Sequence, residues 1–454
     1  MSDDYHSHSQ KKCFYVLPQL NMAYLTRGGF FIVFVLLIII YLSACEDKNP
    51  SQEKQLLYWS ANNPDEIVFA THIVNTWNNF NSRSPVFSQP VPEGRSSEEV
   101  ILAAVVGGTT PDVYSNMWQG DVEFFARSGV LVPLDTINGF MSFLSQRCDS
   151  AVIAEITSDD GHIYQIPWKI NPIMMLYNVN MFKNIGWDGP PKTYSDFLRA
   201  GKKMQQDLDG DGYVDIWVGY SNVLVTWWQR FFDFYPLYLG ASNGGKLVEK
   251  GKVVFNNQYA IDVFRFLQEV YQKNYFTKEL LNARQDVFLS EIIATRFVGP
   301  WEIIHTEKFK PDGFDYAYST LPVPDAYQGN IYTYGDPKNI VIFNTCSNPA
   351  NAWKFIKYMI SEENDYKLLE ITTQIPRRKA LSKNPQYIKY LAHNPKMMPF
   401  IQQADYVKGT DVCAQLKEVF DIISLEYEAC VIYNKKSAEQ AIEDAANAAQ
   451  VVLN

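Results

Sequence analysis

From Gln55 onward the chain alternates short apolar runs with segments whose apolar residues recur at helical spacing. This alternation restricts it to a layered α/β architecture. Gln55-Leu-Leu-Tyr-Trp59 reads as a strand bounded by polar residues. Residues 65–80 place Ile67, Val68, Ala70, Ile73, Val74 and Trp77 on a helical stripe. A second helix covers 97–106 and is stopped by Gly107-Gly108, and Pro111-Asp112-Val113-Tyr114 follows as a short strand. Strand and helix keep alternating, the pattern of a parallel sheet. Residues 259–275, 349–361, 411–427 and 437–451 read as helices, and the chain contains no internal repeat or low-complexity stretch. About 410 residues follow from Cys45 onward, more than one core accommodates. The expectation is two α/β lobes.

Residues before Cys45 are of another kind. An unbroken apolar run from Phe30 to Tyr41 ends in Leu42-Ser43-Ala44-Cys45 and is followed at once by Glu46-Asp47-Lys48. The run is shorter than the roughly 20 residues a bilayer span needs. It fits the apolar region of a secretory signal, with small residues before the cut, so residues 1–44 are expected to be a signal peptide. Leu-Ser-Ala-Cys resembles the lipobox of bacterial lipoproteins, in which the cysteine receives a diacylglycerol and becomes the mature N-terminus. The resemblance implies lipidation at Cys45, with 45–54 as a polar tether to the periplasmic or extracellular face of a membrane. Each buried methylene contributes about 0.8 kcal/mol, and two or more chains anchor durably. The alternative is an uncleaved N-terminal anchor. The nearest basic residue is Arg27, and a chain starting at Met22 would form a compact signal.

A net charge of −10 argues against a nucleic-acid partner, which needs a basic face. Beyond Cys13 and Cys45, the cysteines at 148, 346, 413 and 430 lack metal-binding spacing. Cys413 and Cys430 pair in an exported protein on one reading and are buried free thiols on the other. The aromatic content, 15% with 10 Trp, 28 Tyr and 28 Phe, calls for an explanation beyond core packing.

Several motifs, in order along more than 300 residues, supply one. They are Gly107-Gly108-Thr109-Thr110-Pro111-Asp112-Val113, Gly129 to Asp135 (GVLVPLD), and Gly161-His162-Ile163-Tyr164-Gln165-Ile166-Pro167 with Leu176-Tyr177-Asn178 and Met181-Phe182. Further on come Pro191-Lys192-Thr193-Tyr194, Phe297 to Trp301 (FVGPW), Leu321-Pro322-Val323-Pro324, Asn351 to Ile356 (NAWKFI) and Ile375-Pro376-Arg377-Arg378. Each alone marks only a turn or helix start. Together they resemble the solute-binding proteins of ABC importers, of the sugar-binding, maltose-binding-protein-like type. The resemblance implies a type II two-lobed α/β fold with a ligand cleft between lobes and hinge crossovers. Its expected boundaries are 55–168 with 301–340 for lobe 1, and 169–300 with 341–454 for lobe 2. It also implies a monomeric receptor that captures a carbohydrate, an oligosaccharide by expectation, and presents it to ABC permease subunits. Aromatic faces stack on sugar rings while polar groups bind hydroxyls. Positions matching the family's cleft loops are Tyr58, Trp59, Asn116, Trp118, Trp168, Lys169, Trp227, Trp228, Gln229, Trp301, Glu302, Tyr334, Gly335 and Asp336. The competing reading is that these aromatics are core.

Asp207-Leu-Asp209-Gly-Asp211-Gly-Tyr213-Val-Asp215 is the sharpest local chemistry. Carboxylates at loop positions one, three, five and nine, with glycine at six, can wrap a hard cation, with the Tyr213 carbonyl as a further oxygen. Val218 replaces the usual final glutamate, so a structural Ca2+ in a shortened loop is expected; the alternative is a solvated acidic turn. No catalytic set stands out: His72, His162, His305 and His393 form no HExxH, and no serine sits in G-x-S-x-G. A glycosidase needs only two carboxylates, so a surface glycoside hydrolase is the rival to a non-enzymatic binder. A sensor that presents its ligand state to a histidine kinase is the third reading.

Overall fold

The computed structural model describes residues 55–94, 96–223, 227–281 and 286–454, apart from the Ser382 side chain. The signal, Cys45 and the tether lie outside the described residues. Among these residues no helix is long and apolar enough to cross a membrane.

Two sheets organise the body. Its main strands are β1 (Leu56–Ser60), β2 (Val86–Pro90), β3 (Val113–Trp118), β4 (Ile166–Ile170), β5 (Met174–Asn178), β6 (Trp217–Gly219), β7 (Ile293–Val298), β8 (Tyr316–Ser319), β9 (Lys338–Ile342) and β10 (Ile375–Pro376). The first sheet runs β10-β4-β9-β3-β1-β2 and the second β8-β5-β7-β6. β1 pairs in parallel with β2 and β3, but β9 is antiparallel to both β3 and β4, and β10 to β4. The expected parallel sheet is therefore mixed. The physical reason for β9 is that it is a return strand, arriving from the other lobe and so running against β3 and β4, while β10 follows a helix of the same lobe and runs against β4.

The same pairing shifts the expected lobe boundaries. β8 pairs with β5 of the second sheet, so residues after the Gly299-Pro300 turn stay in lobe 2 instead of returning to lobe 1. β9, helices Pro349–Met359 and Glu362–Thr372, and β10 then build lobe 1, where lobe 2 was expected. Helices Leu416–Tyr427 and Ala438–Leu453 pack in the lobe 2 core, as expected. The chain thus crosses between β4 and β5, before β9 and after β10.

Helix Pro64–Phe80 shows how sequence becomes element. Asn63 caps it, its Oδ1 accepting from Glu66 N at 2.9 Å, and Pro64 fills the first turn, where no N–H partner is needed. Its stripe of Phe69, Ala70, Ile73, Val74 and Trp77 is buried against helix Pro349–Met359 and β1, with Trp77 edge-on to Phe355 at 5.6 Å. Burying such a side chain contributes about 1.5–3 kcal/mol. Lobe 2 has an aromatic core around helix Trp227–Ala241, whose internal Pro236 lacks the N–H for one backbone bond. Cys148, Cys346, Cys413 and Cys430 are all buried and none is in a disulfide, so of the two readings of Cys413 and Cys430 the structure favours buried thiols. Burial pushes the Cys413 thiol up to about 11 and Cys430 to about 12, which leaves both unreactive.

Candidate functional site

The crossing strands bring polar ends of lobe 1 opposite aromatic side chains of lobe 2. A cavity of about 400 Å³ is lined from lobe 1 and the crossings by Asn63, Glu66, Asn116, Lys169, Asn171, Asp336, Lys338 and Gln374, and from lobe 2 by Phe232 and Trp301. A second cavity of about 250 Å³ shares Phe232, Asp336 and Lys338 with it. That one adds Ser97 and Glu98 from the start of helix Ser97–Gly107, and Trp118, Trp227 and Trp228. The two form one cleft with a waist at the shared residues.

The polar wall is an organised network. Lys169 Nζ lies 2.5 Å from Glu66 Oε1, which also accepts from Gln374 Nε2 at 2.7 Å and Asn63 Nδ2 at 2.9 Å. Asn171 Nδ2 donates to Gln374 Oε1 at 3.2 Å. Burial works to raise the Glu66 carboxyl, but the Lys169 ammonium and these three hydrogen bonds outweigh it and hold it below the usual carboxylate range. Glu66 Oε2 and Asn171 Oδ1, both buried, have no hydrogen-bond partner among the described residues. At the waist Lys338 Nζ stands 3.4 Å from Asp336 Oδ1. Asp336 has φ 36°, in the left-handed region that carboxamide and carboxylate residues tolerate better than most.

The aromatic wall depends on glycine. A Cβ at Gly299 would lie 2.1 Å from the Trp301 ring, so only glycine lets that ring fold over the backbone into the cleft. Gly120 gives Trp118 the same freedom. Trp118 is almost wholly buried: its ring stands 4.9 Å from Trp227, and its Nε1 donates to Tyr334 Oη at 3.0 Å.

Of the expected site residues, Asn116, Trp118, Trp227, Trp228, Lys169, Trp301 and Asp336 line the cleft. Tyr58, Trp59 and Trp168 do not; they are core. Tyr58 Oη bonds Ser115 Oγ at 2.8 Å beneath Phe355, Trp168 packs on Phe69, and Trp59 faces the opposite side of the sheet. Each points from its strand into the layer under the sheet rather than off its end. Tyr334 is fully buried and lies behind the cleft lining, bonded to Trp118 and edge-on to Phe231 and Phe232. Gln229 lines a neighbouring lobe 2 cavity of about 320 Å³ with Ser221 and Asp233, which meets the cleft at Phe232. Glu302 turns to Arg296, 3.1 Å away. Asn63, Glu66, Glu98, Phe232, Lys338 and Gln374 were missed. Only the Asn63-Pro64 helix cap, which puts Glu66 in a first turn, was readable in advance.

The acidic loop is partly assembled. Carboxylate oxygens of Asp207, Asp209 and Asp215 lie within 4.8 Å of one another. Asp207 accepts from Gly210 N at 2.7 Å and Gly212 N at 2.9 Å, and the latter bond leads in holding its carboxyl below the usual range. Asp211 stands apart from the expected set, its Oδ1 accepting from Tyr213 N at 2.8 Å. A second acidic group, Asp286, Glu302 and His305, already holds a cation: Arg296 reaches Asp286 at 2.9 and 3.1 Å and Glu302 at 3.1 Å.

Two lobes joined by crossing strands, with a cleft polar on one wall and aromatic on the other, define a hinged receptor for a small solute. The profile of the bacterial extracellular solute-binding proteins matches residues 92–399, more than half of the sequence, and the chain belongs to that family. It is a binder, not an enzyme. The chain is 20% identical over 383 residues to the sn-glycerol-3-phosphate-binding periplasmic protein of Brucella melitensis, covering 80% of this chain and 83% of that one. It is 24% identical over 241 residues to a maltooligosaccharide ABC transporter solute-binding lipoprotein of Streptococcus pneumoniae R6, covering 51% of this chain and 52% of that one. The cyclic α-maltosyl-1,6-maltose binding protein of Arthrobacter globiformis shares the fold, with TM-score 0.72 at 18% identity over 88% of this chain and 98% of that structure.

Proposed function

We propose that the cleft captures a carbohydrate, an oligosaccharide in particular, and that the closed protein presents it to the permease of an ABC importer. The observation that carries this reading is the opposition of Phe232, Trp228 and Trp301 to a hydrogen-bonding wall built on Glu66, Lys169 and Gln374. Rings offer apolar faces and rims of hydroxyls, and this cleft is lined for both. Several relatives in the family bind sugars by name, which supports the same class. Protein beginning after Cys45 should show a raised melting temperature with a subset of oligosaccharides, because a ligand at 100 times its Kd stabilises by about 2.7 kcal/mol. Turnover of any sugar by that material would sink the proposal.

Two further features complete the reading. The lipobox-like Leu42-Ser43-Ala44-Cys45 supports a diacyl anchor that keeps a monomeric receptor beside its permease. Cys45→Ser should abolish incorporation of labelled fatty acid and release the protein from membranes. The converging Asp207, Asp209 and Asp215 support a structural Ca2+, since three carboxylates at that range repel one another without a cation. Chelation should lower the melting temperature, and Asp209→Ala should remove that response. An unchanged melting curve on chelation would leave only a solvated turn.

A further inference from the structure

The cleft also carries information about the charge of what it binds, an inference that rests on the carbohydrate reading above. Two cations line it, Lys169 and Lys338, and neither is free. Lys169 is consumed by Glu66 at 2.5 Å, and Lys338 faces Asp336 at 3.4 Å. Two more carboxylates, Asp65 and Glu98, line the cleft with no lysine or arginine within ion-pair distance among the described residues. Lys417, the cation over the Trp227 ring at 5.7 Å, lines neither cavity. Among the described residues the lining therefore holds four carboxylates against two ammonium groups.

The unpaired atoms point the same way. Glu66 Oε2 and Asn171 Oδ1 are acceptors, buried to 3% and 1% exposure and without protein donors. A buried acceptor left unmatched costs about 1–3 kcal/mol. What satisfies it is an O–H or N–H, which a polyhydroxyl ligand brings and a phosphate or carboxylate group does not.

We propose that this cleft selects an uncharged, hydroxyl-rich saccharide and rejects sugars or polyols bearing phosphate or carboxylate. Glu66 Oε2 and Asn171 Oδ1 receive ligand hydroxyls, and the Asp336–Lys338 pair at the waist sets the charge selection. The fold alone does not decide this, since one relative is named for a phosphorylated polyol and another for maltooligosaccharides.

The test is calorimetry on protein lacking residues 1–45 with two probe sets. Neutral probes are maltotriose, cellotriose and mannotriose; anionic probes are trigalacturonate, glucose 6-phosphate and sn-glycerol 3-phosphate. The expected result is binding confined to the neutral set, by at least about tenfold, with a Kd unchanged between low and high salt because no charge is neutralised. Asp336→Asn frees Lys338 while keeping a residue that tolerates positive φ. It should strengthen binding of the anionic probes about tenfold, read on protein that still shows a cooperative melting transition. Anionic probes binding the wild type as tightly as neutral ones would overturn the charge selection and leave the carbohydrate reading standing. Anion binding unchanged in a folded Asp336→Asn protein would remove the role given to the waist. No binding from either set would overturn the carbohydrate reading itself.

Discussion

Trp301 is the residue on which ligand contact and folding separate most clearly. Its ring is 38% exposed at the mouth of the cleft, so truncation leaves the core untouched. Trp301→Ala should weaken ligand binding by more than about 1 kcal/mol with no loss in urea stability, both read on one preparation. Trp168→Ala should do the reverse, costing about 3–5 kcal/mol of stability. Asp121 gives a pH signature near the same cleft. Burial, then Glu98, push its carboxyl up to about 7 against the pull of Lys417 and Lys338. The unfolded chain releases that proton near 3.8, so between there and neutrality the folded state binds more protons and stability falls as pH rises. Asp121→Asn should flatten that slope, stabilising the protein at pH 8 and changing little at pH 4, by denaturant melts at both. At this scale the sequence was half legible. Trp118 and Trp301 were readable because they stand at positions matching the family's cleft loops, after the Pro-Asp-Val strand and the Gly-Pro turn. Tyr58 and Trp168 were not, because a tryptophan that stacks on sugar and one that fills a core are written alike.

Among elements, caps and stripes were the most legible features. Asn63, Ser96, Asn257, Asn348 and Ser437 each accept from the backbone N–H three residues on, at or near the expected helix starts. The directions of β9 and β10 were not legible, since each depends on a pairing partner far away in sequence. One contact holds the returning chain in place. Arg147 donates to Asp365 Oδ2 at 2.5 Å and Oδ1 at 3.2 Å, and to the carbonyls of Pro167 and Trp168 on β4. Arg378, just past β10, adds a bond to Asp365 at 2.8 Å. Removing the carboxylate strands two guanidinium groups, one of them buried. Asp365→Ala should therefore cost about 3–5 kcal/mol, seen as a lower urea midpoint with an unaltered slope.

For the whole molecule, two lobes followed from length and alternation, but their boundaries did not. The Gly299-Pro300 turn looks like a crossing and is only the seat of Trp301, whereas the true return before Lys338 carries its own Gly335-Asp336-Pro337 punctuation, which was read only as part of a cleft loop. That return has a consequence for how an exported chain is made. β9 is the fourth strand inward from one edge of the first sheet, lying between β3 and β4, so β4 cannot join the β3-β1-β2 group until residues 338–342 arrive. About three quarters of the polypeptide must emerge before the first lobe can close its sheet. Pairing over such separations is slow, which leaves the nascent chain threadable through a translocation pore. Chains truncated at residue 337 should remain protease-sensitive throughout lobe 1, and protection should appear only when β9 is included.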